Sequence, residues 1–213
     1  ETIVPMAAVT KSGLRLNVQN GDVFKIVDNS KTFDDLASNH WAMDAVSFTA
    51  GRELFLGLNT PKNFAPNETM SRAMMVTVLW RMCEQPAAKA QHRFADVVEG
   101  AWYDEAIQWA VEANIAQGNG SGFDPNAPVT REQLAVMLYR AAGSPAVSQA
   151  VIRTHTDGQN VSSWAAEAMA WCVENNILNG RDGSALAPQD TASRAEVAAM
   201  LMRYIKTSLN IPL

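Results

Sequence analysis

The chain has 213 residues, a formal charge of −5 and 47% hydrophobic residues, enough for a sizeable core. Its 17 Lys and Arg form no basic run, which argues against a nucleic-acid footprint, and its apolar runs fall far short of the eighteen or so residues that span a membrane. Cys83 and Cys172 are too few for a disulfide framework and lack the partners of a zinc site, and nothing in the sequence calls for a cofactor or metal.

Residues 1–31 differ from the rest of the chain. Leu14, Leu16 and Val18 alternate with polar residues, Asn20-Gly21 suits a tight turn, and Val23 to Val27 continues as a second apolar run. The spacing predicts a small β-hairpin, either packed on the rest of the chain or ending a neighbouring domain. A start at Glu1, without a Met, fits a mature product or an excised fragment.

From there one pattern runs three times, over 32–92, 93–153 and 154–213. Pro66, Pro125 and Pro188 are each followed six residues later by Arg72, Arg131 and Arg194, and nine residues further by Arg81, Arg140 and Arg203. Trp41, Trp102 and Trp164 are each followed sixteen residues later by Gly57, Gly118 and Gly180. Repeats of this length are read first, since a missed period misassigns the fold.

Within each repeat a first helix is predicted to begin at the Trp. Trp41, Ala45 and Phe48, Trp102, Ala106 and Trp109, and Trp164, Ala168 and Trp171 form i, i+4, i+7 stripes. The Gly then opens a polar loop. A second helix starts at Ser71, Thr130 or Ser193; Thr130 with Gln133 and Ser193 with Glu196 have capping-box spacing, whereas the first repeat has Met74 at that place.

Capping does not account for the Arg that comes next. At a first helical position the helix dipole disfavours a cation by about 0.3–1 kcal/mol, yet Arg stands there three times. Two readings fit: ion pairs with Asp35, Asp96 and Asp157, or a bidentate fork for a carboxylate.

Phe-x-Asp, the Trp opening an Ala-rich helix, the Gly loop ending in Phe-x-Pro and the Ser/Thr-Arg helix start together resemble S-layer homology domains in tandem, over about residues 32–207. The resemblance implies a mainly α fold, a pseudo-threefold unit of three helix–loop–helix repeats with binding grooves between neighbours, here with a short N-terminal β-hairpin. It also implies non-covalent anchoring of a secreted bacterial protein to the cell envelope, with a further secreted domain fused to the module. The expected ligand is a secondary cell-wall polysaccharide carrying a pyruvate ketal on an amino sugar.

Carried over residue by residue, Arg72, Arg131 and Arg194 would receive the ketal carboxylate, helped by the helix N-terminus. Asp35, Asp96 and Asp157 would hold sugar hydroxyls or the Arg. Trp41, Trp102 and Trp164 would stack on a sugar or fill the core. Gly57, Gly118 and Gly180 would admit the ligand or supply a positive φ. Met74, the loop Asn59-Thr60-Pro61-Lys62-Asn63, His155 and Leu186 depart from the pattern, which leaves repeat two nearest to it.

Other classes fit poorly. His40, His92 and His155 lie in unrelated contexts without a nucleophile, and Gly118-Asn119-Gly120-Ser121-Gly122 lacks the Lys-Ser/Thr of a phosphate loop. The remaining rival is a structural or protein-binding helical repeat module whose Arg residues serve only the scaffold.

Overall fold

The computed structural model describes residues 2–10, 13–16, 20–89, 94–120 and 122–212. Each repeat supplies two α-helices: α1 (Met43–Ala50) and α2 (Arg72–Met82), α3 (Asp104–Glu112) and α4 (Arg131–Ala141), α5 (Ala166–Glu174) and α6 (Arg194–Ser208). Short 3₁₀ turns lead into α5.

The second helices start where the hydroxyls predicted. Ser71, Thr130 and Ser193 are extended, and each side chain accepts the N–H of the residue three further on at 3.2, 3.3 and 3.2 Å. Gln133 and Glu196 return the bond to the cap N–H at 3.2 and 2.8 Å, completing both boxes. Caps of this kind contribute about 1 kcal/mol each.

At these starts the repeats are joined in a ring. Met70 N–H donates to Ala192 O at 2.9 Å, Ala192 N–H to Val129 O at 3.1 Å, and Val129 N–H to Met70 O at 2.9 Å. Packing runs in the same cycle: α3 lies on α2, α5 on α4 and α1 on α6, so the first helix of the module covers the last. The second helices are the buried ones, with Met75, Leu79, Leu134, Leu138, Val197 and Leu201 all shielded from solvent.

The first helices begin two residues later than predicted, at Met43, Asp104 and Ala166. The Trp stands in the preceding turn. Ala45, Ala106 and Ala168 remain on the buried stripe, and Phe48, Trp109 and Trp171 pack on the core at its edge. Each helix is followed, two or three residues past its end, by a residue of positive φ (Glu53, Asn114, Asn176), which turns the chain inward to bury Leu54-Phe55, Ile115-Ala116 and Ile177-Leu178. Arg81 and Arg203 of the second helices donate to Leu54 O and Ile177 O at 3.1 and 3.4 Å, a scaffold role.

The N-terminal hairpin exists but uses other residues. β1 (Ala8–Thr10) pairs antiparallel with β2 (Gly13–Arg15). Asn20-Gly21 does turn, with Gly21 at φ 97°, but Val23 to Val27 forms no strand, and Val23 is 95% exposed. Pairing falls to the segment that has an anchor: Ala8 is buried in the core, Arg52 Nη2 donates to Ala7 O at 3.1 Å, and Arg15 Nη1 donates to Leu209 O. The apolar side chains at 23–27 meet no core: Val23, Ile26 and Val27 are all exposed. Val18, His92 and Ser121 lie outside the described residues.

Candidate functional site

The site grows from the loop before each second helix. Ala65, Asp124 and Ala187, the residues that precede the loop prolines, all have left-handed backbones, with φ of 55°, 55° and 49°. For a residue with a Cβ this costs about 1–2 kcal/mol. The shared geometry is held by the Asp of the same repeat. Asp35 accepts the N–H groups of Phe64 and Ala65 at 2.7 and 2.6 Å, Asp96 those of Phe123 and Asp124 at 2.8 and 2.7 Å, and Asp157 those of Leu186 and Ala187 at 2.7 Å each.

The helix-start Arg comes to that loop from the neighbouring repeat. Arg72 Nε donates to Phe123 O at 2.8 Å and its Nη2 to Gln117 O at 2.8 Å. Arg131 repeats this with Leu186 O and Asn179 O at 2.8 and 3.1 Å, and Arg194 with Phe64 O and Leu56 O at 2.7 and 3.0 Å. Asp and Arg thus grip opposite ends of one residue, the Asp its N–H and the Arg its C=O. They do not form the direct ion pair that the sequence offered as one reading; among the described residues, no ion pair joins any of the three Asp to a helix-start Arg.

A guanidinium has five N–H donors. The carbonyls use two, on the Nε side, and the outer edge formed by Nη1 and the second Nη2 proton is left for another acceptor, which at Arg131 is already approached by Glu196, 3.6 Å from Nη1. Burial pulls the Arg194 pKa down to about 10, with Asp35 opposing, and lowers those of Arg131 and Arg72 against the pull of Glu196 and Asp124. All three are cations at neutral pH.

The helix N-terminus does not supply the free donors expected of it. Arg72, Arg131 and Arg194 N–H bond Ala127, Asp190 and Glu68 O at 2.9 Å each. Ala73, Glu132 and Ala195 N–H bond Pro125, Pro188 and Pro66 O at 2.9, 2.9 and 3.1 Å. The cap hydroxyl takes the third N–H. Neighbouring loops therefore occupy the anion site that an open helix end would offer, and only the Arg edge faces outward.

Gly57, Gly118 and Gly180 come directly after the carbonyls that the Arg residues bind at Nη2. None has a positive φ. Glycine is required by the loop folding on itself: a Cβ would come within 2.1 Å of Thr60 O at Gly57 and 2.3 Å of the Phe94 ring at Gly118, and meets Ala185 O at 3.2 Å at Gly180.

Trp41, Trp102 and Trp164 are 64, 59 and 58% exposed, so the core alternative does not hold. Trp41 lines a cleft of about 180 Å³ with Arg131, Gly180 and the face of α6. One groove thus draws Trp, Arg and Gly from three different repeats. By the repeat symmetry the corresponding residues are Trp102, Arg194 and Gly57, and Trp164, Arg72 and Gly118. The three Asp stay behind, on the loop backbone.

Two groove residues escaped the sequence reading. Glu196 lies 3.6 Å from Arg131 Nη1, and Arg181 Nη2 and Nε donate to Glu196 at 2.8 and 3.1 Å while its Nη1 pairs with Asp190 at 2.5 Å. Burial pushes the Glu196 carboxyl up, but Ser193 N–H and the two arginines outweigh it and hold it below the usual range. Glu196 was legible only as a capping residue, and Arg181 has no counterpart at Leu58 or Asn119 to draw attention to it.

A family model, the S-layer homology domain, matches residues 32–74, 93–135 and 156–198. The chain belongs to this family. Over 201 residues it is 29% identical to an amylopullulanase of Thermoanaerobacterium thermosulfurigenes, covering 93% of this chain and 11% of the relative. Over 189 residues it is 29% identical to exoglucanase XynX of Acetivibrio thermocellus, covering 87% and 17%. Over 187 residues it is 27% identical to the S-layer protein sap of Bacillus anthracis, covering 87% and 23%. The chain spans less than a quarter of each of these relatives. The three S-layer homology repeats place it at the bacterial cell surface, associated with the wall, as an anchoring module. Among the described residues no helix is long and apolar enough to cross a membrane.

Proposed function

We propose that the module anchors a larger secreted protein by holding a secondary cell-wall polysaccharide in the inter-repeat grooves. The outer edge of Arg72, Arg131 or Arg194 receives the carboxylate of a pyruvate ketal, and the exposed Trp of the preceding repeat in the cycle stacks on the sugar. Gly57, Gly118 and Gly180 keep the groove floor at backbone level, and Asp35, Asp96 and Asp157 act indirectly by fixing the carbonyls on which the Arg rests. The observation that carries this reading is the meeting of Trp41 with the Arg131 edge and Gly180 in one cleft. Large apolar side chains exposed at three equivalent places suit a stacking surface. Three such grooves on one rigid unit would raise avidity without any new contact.

A purely structural module accounts for the Nε and Nη2 bonds but leaves the three exposed Trp without a role; a protein-binding module would use them as interface anchors and leaves the outer Arg edge without one.

Because each Arg also ties two repeats together, the cleaner test replaces Trp. Calorimetric titration with a pyruvate-ketal N-acetylhexosamine is expected to show binding that weakens about tenfold in the Trp41→Ala, Trp102→Ala, Trp164→Ala triple variant, with little change in melting temperature. A wild type that does not bind the ketal sugar would hand the site to the protein-interaction reading.

A further inference from the structure

The carbonyl that each helix-start Arg holds with Nη2 belongs to the residue before the loop-opening glycine, and that residue differs in every repeat. It is Leu56 before Gly57, Gln117 before Gly118 and Asn179 before Gly180. Only repeat three therefore places an Asn-Gly pair under an arginine.

That pair is laid open. Asn179 is exposed, outside any helix or strand, and lines the Trp41 cleft with Gly180. Among the described residues its side-chain amide has no hydrogen-bond partner, and the Gly180 N–H donates to none. Glycine also leaves no Cβ to obstruct an approach to its nitrogen. Arg131 Nη2 donates to Asn179 O at 3.1 Å, and that oxygen belongs to the same peptide group as the Gly180 nitrogen. A fixed guanidinium stabilises negative charge on that peptide as a preorganised donor does for an oxyanion. The Gly180 N–H is thereby more readily lost, which makes its nitrogen a nucleophile.

We propose that Asn179-Gly180 is a self-modification site, at which the chain converts Asn179 to isoaspartate. The Gly180 nitrogen, its proton lost to solvent, attacks Asn179 Cγ. The bond from Cγ to the side-chain nitrogen breaks, and ammonia leaves with a proton taken from solvent. Water then adds to the former main-chain carbonyl carbon of the five-membered imide, and the bond from that carbon to the Gly180 nitrogen breaks. One water enters, one ammonia leaves, and nothing is oxidised or reduced. The main chain now runs through Cγ, and the carbon whose oxygen Arg131 held carries a free carboxylate. The joint between repeats two and three becomes an ion pair, and the Arg131 groove gains an anion of its own. Leu56 has no amide to lose, and Gln117 would have to close a six-membered ring.

Asn119-Gly120 in repeat two is an internal control. No arginine holds its carbonyl, its side-chain amide donates to the Asp124 carboxylate, and its N–H donates to Gly122 O at 2.8 Å.

The test is peptide mapping by mass spectrometry of the full chain kept in mildly alkaline buffer, folded and in urea, with isoaspartate identified by enzymatic methylation. In the folded chain Asn179 is expected to convert at least tenfold faster than Asn119, and in urea the two should convert alike. Equal rates in the folded chain, or the same ratio in urea, overturns the proposal. The effect on the groove alone rests on the anchoring reading. The isoaspartate form, separated by anion exchange, should bind the ketal monosaccharide at least tenfold more weakly at the Trp41 indole in ¹⁵N NMR. Asn179→Gln, which keeps the carbonyl, should hold its affinity through the same incubation. An unchanged affinity in the isoaspartate form overturns the effect on the groove. Mapping uses no ligand, so a wild type that ignores the ketal sugar sinks the anchoring reading and leaves the modification standing.

Discussion

Arg131 and Arg194 make the same pair of bonds to the loop of the next repeat, yet what faces their outer edge differs. Arg131 looks onto Glu196, itself gripped by Arg181, at the third helical position of α6. In the grooves of Arg194 and Arg72 that helical position belongs to Met74 and Gln133, neither of them an anion. Arg194 and Arg72 also lie over aromatic rings, Phe64 at 4.9 Å and Phe123 at 4.7 Å, where repeat three offers Leu186. One capping residue therefore sets both the start of its own helix and the charge of the adjacent groove. Equivalent backbones need not make equivalent sites.

The largest effect is expected where both arginines act alike. Arg194→Ala strands Phe64 O and Leu56 O at the joint that closes the ring, and should cost about 2–4 kcal/mol. That corresponds to a melting point lower by roughly 5–15 °C in calorimetry for a module of this size. A near-wild-type melt would show that the loops hold without it.

Acid should act next, through the loop clamps. Phe123 and Asp124 N–H hold the Asp96 carboxyl below the usual carboxylate range. Burial pushes Asp157 up, but Leu186 and Ala187 N–H outweigh it and leave it low as well. Depressed folded values mean that the stabilisation is fully present above the unfolded carboxylate pKa of about 4 and is lost as pH falls through the folded values. Melting scans should show the clamp contribution intact at pH 5 and failing below about pH 4. Asp96→Asn should lower the plateau and flatten that acid limb.

The smallest and most discriminating changes exchange the capping residues. Glu196→Gln keeps the box and removes the anion, so ketal-sugar affinity at the Arg131 groove should rise severalfold for a loss of about 1 kcal/mol in stability. Met74→Glu does the reverse in repeat one, gaining roughly 0.5 kcal/mol by completing the box while weakening the Arg194 groove. Titrations that leave both grooves unchanged would detach the capping residue from binding.

Much of this was legible in the sequence, because spacing along the chain carries it. The period, the caps at Ser71, Thr130 and Ser193, and the loop-opening glycines are all local patterns. The Trp misled for a local reason too: Trp41 fits the i, i+4, i+7 stripe of Ala45 and Phe48 but sits just ahead of the helix, where the same spacing points outward. The true partners of the arginines were not readable. Arg194 finds Phe64 and Leu56 at the far end of the chain, and no periodicity announces a bond between a last helix and a first loop. The hairpin was legible but its strand residues were not, because alternation at Leu14 and Leu16 says nothing of where a core exists to receive it.

The hydrogen-bond triangle of Met70, Val129 and Ala192 also fixes a copy number. Every N–H and C=O at that joint is spent on one of two neighbours, so a fourth unit would find nothing to bond, and a chain of two would expose a broken edge at each end. Duplication in such a molecule can proceed only by whole triplets.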